Sequence, residues 1–345
     1  MKKFTQWMSL IFVAVFFLTS VNSYSQTNIL VVDRDGSFYS TSFTDCWPYY
    51  QEALDQLNVT YTVFEVEDAA ADGPDASTMA NYDMVIFFTG EVWDGGATMT
   101  DNDEFNLVLY TNVSGGKVFL SAQDYLWDRY AGATSFGSGS VPYDVFGLSG
   151  VEQDWWFIGD PDIHTAFGCP GSLANGFQFD VHDIFTEVTD EGLYADWFQS
   201  YLGEPLFNMT VDGIDSCSAI QYDAGNFRTV FSTLSFASVI TIPDRVYLMD
   251  HIIAFLMGTT GIENTSMEIS SELLVYPNPA TDMVRIGTDT KMKEISILNS
   301  QGQVVYTQEM DSNILEFNTQ SLQTGIYFVR AQTEKGIITS RMVVN

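Results

Sequence analysis

The sequence predicts an α/β domain built on a doubly wound parallel sheet, followed by a small all-β, Ig-like sandwich. Three observations carry this expectation. Between residues 28 and 122, short apolar runs alternate with helical patterns, the order that builds βαβ units. From about residue 273 the chain changes to short alternating strands split by turn pairs. The charge breaks between these two styles: residues 27–258 carry 35 acidic and 5 basic side chains, residues 273–345 only 7 and 6.

Each element follows from its residues. Lys2 and Lys3 precede the apolar run "MSLIFVAVFFL", and Ser23 and Ser25 put small residues before Gln26, so residues 1–25 read as a secretory signal peptide. That apolar run is short for a membrane span. "NILVVD" (28–33) is an apolar run of buried-strand type. Phe43, Trp47, Tyr50, Leu54 and Leu57 recur at helical spacing over 43–57, where Pro48 fits only near a first turn. "TYTVFEV" (60–66) and "DMVIFFTG" (83–90) are the next strands, and acids open a helix at 101–112. "KVFLSA" (117–122) is the fourth strand of a flavodoxin-like order. Residues 130–215 read as loops rich in Gly, Ser and Asp. Beyond them, "SAIQYD" (218–223) and "RTVFSTL" (228–234) form a hairpin around Ala224-Gly225-Asn226. Pro243 and Gly258 frame a final helix, and 259–272 is a polar linker. The domain limits are therefore 26–258 and 273–345.

The 345 residues are 46% hydrophobic, enough for two cores, and the net charge is −32. A surface this acidic repels phosphates, which excludes nucleic acid as a partner. The acids serve solubility, and calcium is the one ion some of them could bind; no other cofactor is expected. Three cysteines in an exported chain suggest one disulfide and one free thiol. Cys169 and Cys217 lie in loop-like sequence and are the expected pair, whereas Cys46 lies in a helix.

In a doubly wound sheet the site lies beyond the carboxyl ends of the strands. Those ends carry Asp33, Asp35, Thr89, Glu91, Ser121, Gln123 and Asp124. Ser121 could act as a nucleophile with His164, the histidine in a loop, as base and Asp124 beside them. The stretch lacks a Gly-x-Ser-x-Gly elbow, and the plainer reading is that Ser121, Gln123 and Asp124 cap the next helix. His182 alternates with apolar residues, and His251 sits in the last helix among acids. Asp33 and Asp35, with Glu91, could hold a hard cation, although the twelfth position of a calcium loop starting at Asp33 is Thr44, not Glu. Trp93, Tyr125, Trp127, Trp155 and Trp156 could line a carbohydrate-binding face, or fill satellite cores.

Two resemblances add to this. "VYPNPATDMVRI", "ISILNSQGQVVYTQ" and "LQTGIYFVRAQTEKGIITSRMVV" resemble the type A sorting domain of the type IX secretion system of Bacteroidota. Tyr276, Pro277, Asn278 and Pro279 supply its opening motif, and Gly325 and Tyr327 its Gly-Ile-Tyr strand. The resemblance implies contact with the secretion machinery, transit through the periplasm, delivery to the outer-membrane surface or medium, and usually loss of the domain. Many such cargoes are anchored to surface lipopolysaccharide. Residues 27–132 and 218–258 resemble the class I glutamine amidotransferase-like fold. The cysteine nucleophile and His-x-Glu pair of that family are missing: Leu120-Ser121-Ala122-Gln123 stands at the strand end. The expectation is a secreted surface protein whose α/β domain binds or scaffolds, with a carbohydrate or peptide ligand and no catalysis. The rival is an extracellular hydrolase using Ser121 or the acidic strand ends.

Overall fold

A computed structural model describes residues 27–41, 43–93, 98–158, 162–185, 193–211, 214–258 and 273–345. The expected signal peptide and linker lie outside them. The chain opens as expected: β1 (Asn28–Asp33), α1 (Trp47–Leu57), β2 (Thr60–Glu65), a short α2 (Ala76–Met79), β3 (Met84–Gly90), α3 (Asp101–Ser114) and β4 (Lys117–Ala122). Helix α1 begins four residues later than the periodicity suggests, because Pro48 must sit in its first turn. Thr100 and Asp103 close a capping box at the start of α3, so its acids lie where the helix dipole favours them.

The doubly wound parallel sheet is not what forms. Short helices α4 (Tyr125–Tyr130) and α5 (Val141–Asp144) lead into the stretch expected to be loops, which instead supplies five strands. These are β5 (Leu148–Ile158), β6 (Ile163–Gly168), β7 (Gln178–His182), β8 (Leu193–Tyr201) and β9 (Glu204–Val211). Strands β6, β7 and β9 join β1 to β4, β10 (Ile214–Asp223) and β11 (Arg228–Ser232) in a nine-stranded mixed sheet ordered β2-β1-β3-β4-β11-β10-β9-β6-β7. The pairs from β2 to β11 are parallel, and every pair from β11 to β7 is antiparallel. Strands β5 and β8 form a separate ribbon. Their alternation was obscured by bulges: β5 slips register between Glu152 and Trp156, and Asp154 there takes φ 51°. Exposed Phe157, Ile163 and Phe167 further break the inside–outside pattern.

Apolar side chains fill both faces of the large sheet. Tyr50 and Leu54 of α1 pack on one face with Leu248 and Ile252 of α6 (Ile242–Met257), which Gly258 ends as expected. Helix α3 covers the other face through Leu107 and Val108, among others. The C-terminal segment departs from the expected seven-strand sandwich. It is one five-stranded sheet of β12 (Leu274–Tyr276), β13 (Met283–Asn299), β14 (Val304–Asn318), β15 (Gly325–Thr333) and β16 (Gly336–Val344), with its own core around Ile286, Ile295 and Val329. Stretches expected as separate short strands fuse into two long antiparallel ones, β13 and β14.

The expected disulfide is also absent: Cys46, Cys169 and Cys217 are all buried free thiols. Register explains it. Cys217 on β10 faces Asn208 of β9, while the Cys169 N–H bonds to Leu206 on the opposite edge of β9. An intervening strand puts two inter-strand spacings, roughly 9–10 Å, between the backbones, too far for a bridge. Burial pushes Cys169 up to about 11 and Cys217 up to about 12, so neither is a ready thiolate.

Candidate functional site

The strand order reverses where β1 lies between β2 and β3, and a cluster of three acids lies there. Asp33 ends β1, and the chain turns so that Asp35 and Asp45 come back beside it. One carboxylate oxygen from each lies within 4.8 Å of the other two. Asp35 is anchored from both sides: its oxygens accept the Ser37 N–H at 2.9 Å and the Cys46 N–H at 2.6 Å. Gly90 makes room for this turn, since a Cβ there would sit 2.8 Å from Asp35 Cβ at φ +56°. Burial, then the neighbouring Asp35 charge, pushes Asp33 up to about 8; burial likewise raises Asp35. The Cys46 thiol lies amid these acids and is pushed well up by burial, so it is no nucleophile.

Sequence reasoning placed Asp33, Asp35 and Glu91 here, and the geometry changes the third member. Glu91 accepts the Thr44 N–H at 2.7 Å and so holds the segment that carries Asp45. Asp45 was missed. Its one signal was an acid just before the helix at Trp47, whose N–H it accepts at 3.0 Å.

Ser121 stands at the end of β4 as expected but is 2% exposed. Its Oγ accepts the Phe236 N–H at 3.1 Å and is hydrogen-bonded to the Tyr50 hydroxyl. None of the three imidazoles hydrogen-bonds it. His164 is not in a loop: it lies on β6, paired with Val181, its ring edge-on to Trp156 at 6.2 Å. His182 is on β7, and His251 Nδ1 lies 2.8 Å from the Tyr247 carbonyl oxygen. Asp124 is the N-cap residue of α4 without a side-chain cap bond, so the capping expected of it is not made. Gln123 is buried, and its Oε1 has no partner among the described residues.

The aromatic residues do not gather on one face. Trp156 is 1% exposed and donates to Ser216 Oγ at 2.6 Å, Trp155 packs on Trp197, and Tyr125 donates to Glu104 at 2.7 Å. Trp93 and Trp127 are exposed. A second acid without any sequence signal sits near the other strand ends. Asp196 is 2% exposed; one oxygen accepts the Asp154 N–H at 2.9 Å, the other has no partner among the described residues. Burial pushes its pKa well above the usual carboxylate range.

The sorting motif is structural in its own fold. Asn278 Nδ2 donates to the Arg341 carbonyl and its Oδ1 accepts the Val343 N–H, tying the Tyr276–Pro279 turn to β16. Gly325 starts β15 opposite Val344, and the Tyr327 hydroxyl donates to the Gln323 carbonyl. Residues 274–345 match the family model of the secretion system C-terminal sorting domain. This segment is a type IX sorting tail. The tail engages the secretion machinery and directs the protein to the cell surface or the extracellular space. No helix among the described residues is long and apolar enough to cross a membrane.

No curated protein matches the chain. Among solved structures, PorZ, a surface component of the type-IX secretion system of Porphyromonas gingivalis, is 22% identical over 21% of this chain and 11% of its own, with a TM-score of 0.20. A β-galactosidase from Bacillus circulans sp. alkalophilus is 10% identical over 92% of this chain and 42% of its own, with a TM-score of 0.42. This chain thus spans less than half of that enzyme. A GMP synthase protein of Thermoplasma acidophilum is 10% identical over 68% of this chain and 94% of its own, with a TM-score of 0.41. Likeness at this level carries no activity across.

Proposed function

We propose that this chain is a cargo of type IX secretion, led by a signal peptide at residues 1–25, whose large domain works outside the cell as a binding module. The observation that supports binding over Ser–His hydrolysis is the state of Ser121. Its hydroxyl is buried and committed to Phe236 and Tyr50, and no imidazole is bonded to it. A serine nucleophile needs a base at its oxygen and open space before it.

The ligand that suits the β1–β3 edge is a hard divalent cation, calcium, held by Asp33, Asp35 and Asp45 through oxygen. Such an ion would supply the counter-charge that three crowded carboxylates lack and could bridge to a carbohydrate, a peptide or lipopolysaccharide at the surface. Calcium titration calorimetry of the full chain at pH 7.5 tests this. A dissociation constant in the range of about 10⁻⁴ to 10⁻³ M is expected, as for extracellular modules, weakened at least about tenfold by Asp45→Asn. No heat and no stabilisation at millimolar calcium would end the cation reading.

One observation favours hydrolysis instead: Asp33, raised to about 8, holds a proton near neutrality beside a second carboxylate, as a general acid does. Against it, both Asp35 oxygens already accept main-chain N–H groups. Turnover of a polysaccharide or peptide panel that Asp33→Asn abolishes would decide for the enzyme.

A further inference from the structure

Helix α3 has no exposed face along its middle. Phe105, Leu107, Val108, Leu109, Tyr110 and Val113 are all buried, which requires cover on two sides. The large sheet supplies one side, and the sorting tail supplies the other. At Gly287 of β13 the approach is so close that an added Cβ would lie 3.0 Å from Phe105 Cζ, 3.1 Å from Phe105 Cε1 and 3.3 Å from Leu109 Cδ2. All three nearest atoms belong to α3 and none to the tail.

Two residues earlier on β13, Arg285 makes the polar half of the same contact. Its Nη1 donates to the Asp101 carbonyl at the start of α3, and its guanidinium lies 5.6 Å from the Phe105 ring centroid. Glu316 on β14 orients the arginine through a 2.9 Å bond to Nε. Leu274, Tyr276 and Ile314 of the tail pack against the core of the large domain. Beside the contact lies a cleft of about 350 Å³ lined by Asp101, Glu104, Phe105, Tyr276, Arg285 and Glu316.

We propose that the sorting tail is a docked cover for α3, held by Arg285 and by the Gly287 seat, and that it leaves the large domain as a unit. The tail can do so because its core is its own, around Ile286, Ile295 and Val329. Its departure uncovers the Phe105–Leu109 strip beside the acidic start of α3. Docking thus hides an apolar surface of the large domain for as long as the sorting tail is attached.

The test is amide hydrogen exchange on the full chain, with small-angle scattering, comparing wild type with Gly287→Val and Arg285→Ala. Valine suits a strand, and the three atoms nearest its Cβ all belong to α3, so it should undock the tail without breaking its sheet. The expected result is exchange in residues 101–114 faster by at least about tenfold, with β15 and β16 still protected and the molecule more extended. Arg285→Ala should speed the same peptides by a smaller factor. Should Gly287→Val also lose protection in β15 and β16, the alanine variant alone decides. The proposal is overturned if α3 exchange and molecular dimensions match wild type in Gly287→Val with its tail folded, or in Arg285→Ala. It is equally overturned if wild type already shows unprotected α3.

Discussion

Replacing Asp33 by asparagine should make the protein more stable at pH 8 and leave it nearly unchanged at pH 4. In the unfolded chain this carboxyl loses its proton near 3.8, and in the fold it keeps it to about 8. The folded state therefore binds more protons between those values, so stability is fully present below about pH 4 and is lost as pH rises towards 8. At about 1.4 kcal/mol per unit, a shift of about 4 units corresponds to ~6 kcal/mol for an isolated group. Sharing of charge with Asp35 and the remaining contact with water bring this to about 2–3 kcal/mol. Asparagine keeps the Oδ1 that accepts the Asp35 N–H at 3.4 Å and removes the ionisation. Urea unfolding in a chelator at pH 4.5, 6 and 8 measures it. The gap between variant and wild type should open with pH, and calcium should narrow it at pH 8 by stabilising wild type selectively. Parallel stability curves from pH 4 to 8 would refute the reasoning, because they would mean that Asp33 ionises in the fold as it does in water.

Three further outcomes are expected. Ser121→Ala leaves the Phe236 N–H buried without its acceptor, so thermal unfolding should show a loss of about 1–2 kcal/mol, with calcium binding unchanged; a loss of binding instead would put Ser121 in the site. Arg34 is fully buried, donates to the Ala69 and Ala71 carbonyls at 2.7 Å each and lies 3.4 Å from Asp103, so Arg34→Met should cost about 3–5 kcal/mol in denaturant titration. Titration of thiols in denaturant without reductant should count three per chain; a count of one would restore the Cys169–Cys217 bridge.

How much could be read in advance depended on how local the cause was. Helices α1, α3 and α6 were legible because Pro48, the acids at 101–104 and the Pro243–Gly258 frame act within a turn or two. Asp33 and Asp35 were legible as a strand-end pair. Asp45 and Asp196 were not, since their partners arrive from the turn at Asp35 and from the β5 bulge. His164 looked free because "GDPDIHTAFG" carries loop residues, yet its pairing with Val181 is a matter of register across the sheet. The mixed sheet escaped for the same reason. Whether β6 meets β9, some forty residues further on, is decided by long-range pairing, which leaves no periodic trace in a segment interrupted by bulges.

Sequence alone determined the sorting tail and, with it, delivery to the cell surface or the extracellular space, because the sorting motif is written in consecutive residues. It also determined that the acids would collect at the strand ends. Tertiary structure alone decided that the sheet is mixed, that Ser121 is committed to Phe236 and Tyr50, and that the third acid beside Asp33 and Asp35 is Asp45. It alone set Gly287 of the tail against Phe105. Each of these depends on which distant segments share a surface, and that is fixed by packing the whole chain at once.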